Sequence, residues 1–286
     1  MLKLFRKYVP YAFLLPAILL LTVFFFIPFI QTFWLSFSDF STNLYSPEFV
    51  GFENYIKVLK NPTFLKVLLN TFAFLLIVVP FLTIFPLFLA ILINQKLRGI
   101  TLYKILIYLP VVVSIVVCAI AFKWMYAEHG ILNYILGTSI GWLTDPRFSL
   151  FAVAIVTIWK GIGYYMMIYL ASLMSVPKEL YEACEIDGAN SWQKHLTVTI
   201  PHLMPTIALV STISAISAMK VFAEIYVMTK GGPLNSSKTI VYYIYERAFE
   251  NLDLGVASAM SVILLIIVFI LSLVNILCFE KEKYRL

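Results

Sequence analysis

The amino-acid sequence predicts an all-α membrane protein with six transmembrane helices and both termini in the cytoplasm. Hydrophobic residues make up 62% of the 286 positions and charged residues only 13%, whereas soluble proteins carry about 25% charged residues. Long runs without any charge recur along the chain, and the basic residues between them are unevenly distributed. These observations exclude a soluble enzyme, a disordered chain and a nucleic-acid-binding protein.

The first three spans follow from charge-free runs. A helix needs about 20 mostly apolar residues to cross the hydrocarbon core of a bilayer. Residues 8–38, 67–95 and 105–122 contain no Asp, Glu, Lys or Arg over 31, 29 and 18 positions. The first run is too long for the 7–15-residue core of a secretory signal, so we expect it to remain as an anchor. The predicted spans are 11–34, 67–93 and 105–125.

The last three spans follow the same rule, with one exception. Residues 196–219 and 254–279 are free of charge, but the apolar stretch around the fourth span contains one lysine, Lys160. We find no strong internal repeat and no low-complexity tract, so residues 1–286 are predicted to form a single transmembrane domain. The predicted spans are 150–175, 206–227 and 254–278.

The distribution of Lys and Arg predicts the orientation. The segments assigned to the inside are 1–10, 94–104, 176–205 and 279–286. They hold 11 basic residues in 59 positions, whereas the three outer loops hold 8 in 85. Because basic residues accumulate in cytoplasmic loops, we expect both termini to face the cytoplasm.

The longest inner loop, residues 177–205, is not built like a linker, and we call it the coupling loop. Pro177 can open a helix, and acidic residues in its early turns suit the helix dipole. Gly188 permits a turn, and residues 189–199 suit a second short helix that Pro201 would end. We therefore predict a helix, a bend and a second helix at the membrane surface.

The coupling loop resembles the EAA loop of the inner-membrane permeases of binding-protein-dependent ABC importers. The family pattern is EAA, three residues, Gly, nine residues, Ile, one residue, Leu-Pro. Here Cys184 replaces the second Ala, and Val198 and Ile200 replace Ile and Leu, which are mild changes. The residues assigned to ATPase coupling are Glu182, Ala183, Cys184, Asp187, Gly188, Val198, Ile200 and Pro201.

Other segments resemble the carbohydrate-uptake branch of that family, the maltose and glycerol-phosphate type first permease subunit. These segments are FVGFENY at 49–55, YLP at 108–110, MTKGGP at 228–233 and IYERAF at 244–249. The likeness therefore extends over nearly the whole chain. It implies the type I ABC importer permease fold and a coupling loop that docks into a separate ATPase.

The resemblance also implies a function and partners. The chain would be a non-catalytic permease subunit that moves a sugar, in particular an oligosaccharide, across a prokaryotic inner membrane by alternating access. Its partners would be a second homologous permease, a dimer of ATPase subunits and an extracytoplasmic solute-binding protein, with no nucleic acid. The chain has no GxxxxGK[ST] phosphate-binding loop, so ATP and Mg²⁺ would bind to the ATPase, and we expect no cofactor on this chain.

Polar residues inside the predicted spans mark a candidate substrate pathway. A lysine at mid-span costs about 2.5–3.5 kcal/mol unless it faces protein or water, so we expect Lys160 to face inward. Helical spacing predicts one polar stripe on span four and another on span five. The stripes are Thr157, Lys160, Gly161 and Tyr164, and Ser214, Ser217, Lys220 and Glu224. We expect them to line one passage for a neutral carbohydrate.

Three alternatives remain open at this point. The polar side chains can instead be structural, with Lys220 paired to Glu224 and the serines bonded to their own backbone. An ion-coupled secondary transporter is also apolar and multi-spanning, but it does not need a docking loop. A permease for another solute, such as glycerol phosphate, would use Lys160 and Lys220 for an anion. His129, His195 and His202 lack ligand-spaced partners, so we predict no metal site.

Overall fold

A computed structural model describes residues 2–39, 48–95 and 98–283 of the chain. Two basic residues that contribute to the predicted orientation, Lys96 and Arg285, lie outside the described residues, as do the chain ends at Met1 and 284–286. Helices dominate the described ranges. A short antiparallel pair, β1 (Ser38–Asp39) and β2 (Glu48–Phe49), joins Ser38 to Phe49 and Asp39 to Glu48.

The helices of the first half are α1 (Leu2–Leu21), α2 (Ile27–Leu35), α3 (Glu53–Lys60), α4 (Pro62–Ile93), α5 (Ile100–Val112), α6 (Ile115–Met125) and α7 (Ile131–Leu136). Those of the second half are α8 (Ser149–Leu173), α9 (Lys178–Ile186), α10 (Ser191–Lys194), α11 (Ile200–Met219), α12 (Ala223–Met228), α13 (Ile240–Tyr245) and α14 (Leu254–Lys283). Segments of π-helix occupy Thr22–Phe26, His195–Thr199 and Glu246–Glu250.

The described helices agree with the predicted membrane spans in number. Five stretches are long and apolar enough to cross a bilayer, and the bent pair α5 and α6 makes a sixth when taken as one span. The five stretches are Phe13–Leu35, Pro62–Ile93, Ser149–Leu173, Ser191–Met228 and Leu254–Leu277. The prediction of an apolar, multi-spanning, all-α chain is therefore confirmed.

The third predicted span, 105–125, corresponds to the bent pair α5 and α6 rather than to one continuous helix. The chain bends by 95° between α5 and α6. Val113 and Ser114 adopt extended conformations at the break, and Pro110 in the last turn of α5 lacks an amide hydrogen. The carbonyl groups at the end of α5 consequently need partners from elsewhere.

The fifth predicted span, 206–227, also differs from a single helix. The chain leaves the helical conformation after Met219 and begins α12 at Ala223. At its other end the helix continues through Pro201, contrary to the expectation that this proline ends it. The π-helical segment His195–Thr199 precedes the proline and widens the turn, so that Ile200 donates to the carbonyl of His195 instead.

The chain divides into two compact units, which we describe separately. The first comprises the residues up to 62 and 244–265. Its longest element runs from α1 to α2, and the apolar window within Phe13–Leu35 is not buried at all. Asn54 is buried and donates to the carbonyls of Ser36 at 3.1 Å and Ser38 at 3.0 Å. These bonds hold the end of the first span against α3.

The second unit comprises residues 63–243 and those from 266 onward. Its core forms where α8 packs against α5 and α11, and large side chains such as Met166 and Tyr169 are fully buried there. Gly163 permits the close approach of α5, because a Cβ at this position would collide with the carbonyl oxygen of Ile107. The second unit contains both candidate sites predicted from the sequence.

Candidate functional site

The bend of the coupling loop is built by a glycine at the end of α9. Gly188 has φ +80°, in the left-handed region. Its amide donates to the carbonyl of Glu185 at 3.0 Å, and the amide of Ala189 donates to that of Cys184 at 2.9 Å. This pair of bonds is the Schellman arrangement, which satisfies the last carbonyls of a helix. The turn predicted at Gly188 is therefore present.

The second helix of the coupling loop begins immediately after the bend. The Asn190 side chain accepts from the amide of Gln193 at 2.9 Å, and the Gln193 side chain accepts from the amide of Asn190 at 2.7 Å. These reciprocal bonds form a capping box. With only Ala189 between the two caps, the direction of the chain is fixed on both sides of the bend.

Three side-chain contacts hold α9 against the helix that follows. The Glu185 carboxylate forms an ion pair with Lys194 at 2.5 Å. Tyr181 OH hydrogen-bonds with Thr199 Oγ1 at 2.9 Å. These residues were not among the predicted site residues, although Tyr181 and Glu185 share one helical face by their spacing.

The third contact comes from a predicted residue. Cys184 Sγ lies 3.7 Å from Thr197 Oγ1. Thr197 follows Lys194, the partner of Glu185, by about one helical turn. Cys184, Tyr181 and Glu185 therefore form the inner face of α9. The contacts along this face hold the two arms of the coupling loop in one geometry.

The outer face of α9 is open. Glu182, Ala183 and Asp187 are exposed, and the Ile186 side chain between them is 88% exposed. Trp192 on α10 is also exposed, at 64%. We call these five residues the docking face. Acidic, small and apolar side chains are available there together.

The remaining predicted coupling residues lie in the helix that supports the docking face. Val198 is buried, whereas Ile200 and Pro201 are half-buried. They occupy the π-helical segment and the first turn of α11. The predicted set thus divides into exposed residues on α9 and supporting residues at the start of α11.

One residue of each polar stripe takes part in a hydrogen bond between α8 and α12. Thr157 donates to Glu224 Oε1 at 3.1 Å, and Glu224 is buried. One turn later, Lys160 Nζ donates to the carbonyls of Val111 at 3.0 Å and Pro110 at 3.4 Å. Lys160 thus satisfies carbonyls that the break after α5 leaves open. Both broken spans are tied to α8 by polar side chains.

The other stripe residues have different surroundings. Gly161 faces Leu82 of α4, where a Cβ would crowd the leucine. Ser214 is fully buried and donates to the carbonyl of Ser211 at 3.0 Å, as in the structural alternative. Neither residue lines open space.

Three stripe residues remain accessible: Tyr164, Ser217 and Lys220. The single stripe expected from Ser214 to Glu224 is wrong, because the chain leaves the helix at Lys220 and Glu224 belongs to α12. The pair of Lys220 and Glu224 that belongs to the structural alternative is not among the ion pairs of the described residues.

A polar cluster that the sequence reasoning missed joins α11 to α14. Asn275 Nδ2 donates to Thr212 Oγ1 at 2.9 Å and Ser211 Oγ at 3.1 Å. An asparagine within an otherwise apolar span was the available sign, since polar side chains in spans commonly bond across helices. Among the described residues, no group of three His, Cys, Asp or Glu is arranged to hold a metal ion.

Comparison with known protein families gives one match over most of the chain. Residues 55–278 match the family described as the binding-protein-dependent transport system inner membrane component. The matched range includes the coupling loop and every residue of the two polar stripes.

Two relatives and one solved structure are similar over nearly the whole length. The arabinooligosaccharides transport system permease protein AraP of Halalkalibacterium halodurans is 35% identical, over 95% of this chain and 87% of its own. The sn-glycerol-3-phosphate transport system permease protein UgpA of Pectobacterium atrosepticum is 32% identical, over 96% and 95%. A bacterial ABC transporter involved in the import of the acidic polysaccharide alginate has a chain of similar fold, with a TM-score of 0.86, 24% identity and 96% coverage of both chains.

Proposed function

The chain belongs to the family of binding-protein-dependent transport system inner membrane components, and from this premise we propose that it carries a neutral oligosaccharide into the cell. It is a multi-pass, non-catalytic permease subunit of an ABC importer with the type I fold. A separate ATPase supplies the energy and binds ATP and Mg²⁺. The family assignment disfavours the ion-coupled secondary transporter.

The observation that carries the energy-coupling proposal is the rigid coupling loop with its exposed docking face. Glu182 presents a carboxylate for a cationic group of the ATPase, and Ala183 permits close approach. Cys184 lies beneath them and braces α9 against Thr197. Contacts on the inner face hold α9 against the helix that leads into α11. A displacement of the docking face therefore moves α11 instead of changing the angle of the bend at Gly188.

The proposal of a neutral sugar rests on relatives and on the accessible polar residues. AraP is a permease protein for arabinooligosaccharides by its name. Tyr164 and Ser217 offer an aromatic ring and a hydroxyl group, which suit a sugar. Lys160 is occupied by backbone carbonyls, so it does not add to a site for an anion.

A phosphorylated solute is the second candidate. UgpA carries the name of a glycerol-3-phosphate permease protein, and Lys220 is exposed where α11 ends. One accessible lysine provides a single charge for a phosphate group. We rank this candidate second because the other lysine of the stripes, Lys160, already donates to backbone carbonyls.

Two further partners complete the proposed assembly, a second homologous permease and an extracytoplasmic solute-binding protein. The test is reconstitution of this chain with its permease and ATPase partners in proteoliposomes, with the solute-binding protein outside. We expect ATP-dependent uptake of a neutral oligosaccharide. Uptake of glycerol 3-phosphate alone would favour the second candidate, and uptake without nucleotide would contradict the coupling proposal.

A further inference from the structure

A cavity lies at the end of the third and fifth predicted spans, in the same unit as the polar stripes. It has a volume of about 680 Å³ and opens between the loop that follows α6 and the segment that follows α12. Small-molecule sites generally measure about 300–1,000 Å³. Its polar lining includes Lys123, Tyr126, Glu128, Ser139, Thr144 and Thr229.

The first wall of the cavity is held by one buried asparagine. Asn133 is 3% exposed, and its Nδ2 donates to the carbonyls of Glu128 at 3.1 Å and Ile140 at 2.9 Å. Its Oδ1 accepts from Trp142 Nε1 at 3.0 Å. These bonds connect the beginning and the end of the loop through Asn133, so the wall is formed before any ligand binds.

The second wall is held equally firmly. Ser237 Oγ donates to the carbonyl of Gly232 at 2.6 Å and lies 2.8 Å from Thr229 Oγ1. The start of α4 anchors the same segment, since Asn70 Nδ2 donates to the carbonyl of Asn235 at 2.7 Å. Two loops that are each fixed by their own hydrogen bonds therefore enclose the cavity.

The chemistry of the lining suits a neutral, hydroxylated ligand. Ser139 and Thr144 offer hydroxyl groups, and both side chains are exposed. Lys123 and Glu128 carry opposite charges, which balance one another. A preformed cavity with hydroxyl groups and no excess of charge fits a saccharide better than an ion.

We propose that this cavity binds one end of the oligosaccharide while the rest of the same sugar chain reaches the accessible residues of span five. Met228 at the end of α12 lines the cavity, and Lys220 precedes the start of α12. That helix is six residues long, or about 9 Å. The inference rests on the proposed sugar transport and adds that the transporter favours longer chains.

The first test fills the cavity with a large side chain. Ser139 is exposed and lines the cavity, whereas His129 is exposed in the same loop and does not line it. In the reconstituted complex we expect Ser139→Trp to lower uptake of maltotriose or arabinotriose at least ten-fold and to leave disaccharide uptake within two-fold. His129→Trp is the matched control and should change neither. Equal losses for all chain lengths in Ser139→Trp would overturn the proposal.

The second test measures occupancy without transport. A Ser139→Cys variant of the assembled complex, without the solute-binding protein, is labelled with a maleimide in the presence of each trisaccharide or of glucose, and the labelling is compared with that of the unsubstituted complex. We expect the trisaccharides to slow labelling at position 139 at least five-fold and glucose to leave it unchanged. A parallel labelling adds the solute-binding protein without sugar. Slowing in that sample, with none in the samples that contain sugar alone, would instead identify the cavity as a seat for that protein, and the proposal would be wrong.

The two tests separate this inference from the proposed function. Protection of position 139 in a complex that transports none of the sugars would support the cavity and contradict sugar uptake. Uptake of trisaccharides without protection, and without a length-dependent effect of Ser139→Trp, would support the function and overturn the cavity. If no sugar is transported and position 139 is not protected, both the proposed function and the cavity proposal are overturned.

Discussion

At the scale of single residues, side chains of similar type have different roles in this chain. Lys160 donates to two backbone carbonyls, whereas Lys220 is exposed. Glu185 is paired with Lys194, whereas Glu182 is in none of the ion pairs of the described residues. Position relative to a neighbouring helix, rather than residue type, decides which side chain is available to a ligand or partner.

The exposed carboxylate at 182 gives a direct test of coupling. We expect Glu182→Lys to leave the complex assembled but to reduce ATP-dependent uptake at least ten-fold, because the reversed charge repels a cationic group of the ATPase. Uptake and ATP hydrolysis are measured in proteoliposomes. Glu250→Lys makes the same charge change at an exposed residue of the predicted outer side and should have no effect. Normal uptake by the Glu182 variant would refute the docking role.

We expect substitutions of Lys160 and Lys220 to have opposite effects on the Tm of the complex and on the KM for sugar. Removing the Lys160 ammonium leaves the carbonyls of Pro110 and Val111 without their donor, which costs about 1–3 kcal/mol. We therefore expect Lys160→Met to lower the Tm of the purified complex and to leave the KM for sugar nearly unchanged. Lys220→Met should raise KM and leave Tm unchanged. An altered KM with normal Tm in the Lys160 variant would show that its role is in the pathway.

At the scale of elements, breaks in helices determine the geometry of both sites. The left-handed glycine after α9 turns the coupling loop, and the break after Met219 separates α11 from α12. In both places the regular helical conformation is interrupted for a few residues. The sites are formed where regular helix stops.

The glycine of the coupling loop can be tested against a matched glycine elsewhere. Gly188 has φ +80° and Gly99 has φ +81°, and a Cβ would meet nothing within 4 Å at either position. A branched side chain in this conformation costs about 1–2 kcal/mol. We expect Gly188→Val and Gly99→Val to lower Tm similarly, and only Gly188→Val to reduce the ATP-driven uptake rate. Equal uptake in the two variants would show that the bend is not needed for coupling.

The elements that the sequence predicted well are those set by composition and spacing. Charge-free runs identify spans because a bilayer requires about 20 apolar residues. Gly188 was predicted from its spacing, because few residues other than glycine tolerate a left-handed turn. The expectation that Pro201 ends the helix failed because a π-helical segment lies immediately upstream, in which the amide of Ile200 bonds to the carbonyl of His195. Sequence periodicity carries no sign of such a wider turn.

At the scale of the whole molecule, the sequence predicted the family and the fold better than the contacts of the polar stripes. Exposed residues of the coupling loop follow one local pattern. The pathway residues depend instead on which helix each side chain meets, as Glu224 meets Thr157 and Ser214 meets its own helix. Contacts between residues distant in sequence cannot be read from spacing along one span.

The unbroken run from Ser191 through the π-helical segment to Met219 has a mechanical consequence. These 29 residues form a rod of about 40 Å at the rise of an α-helix. A tilt of about 5° imposed at its cytoplasmic tip would swing the opposite tip through roughly 3–4 Å at that length. A displacement at the coupling loop would therefore be carried along the rod to the proposed substrate pathway.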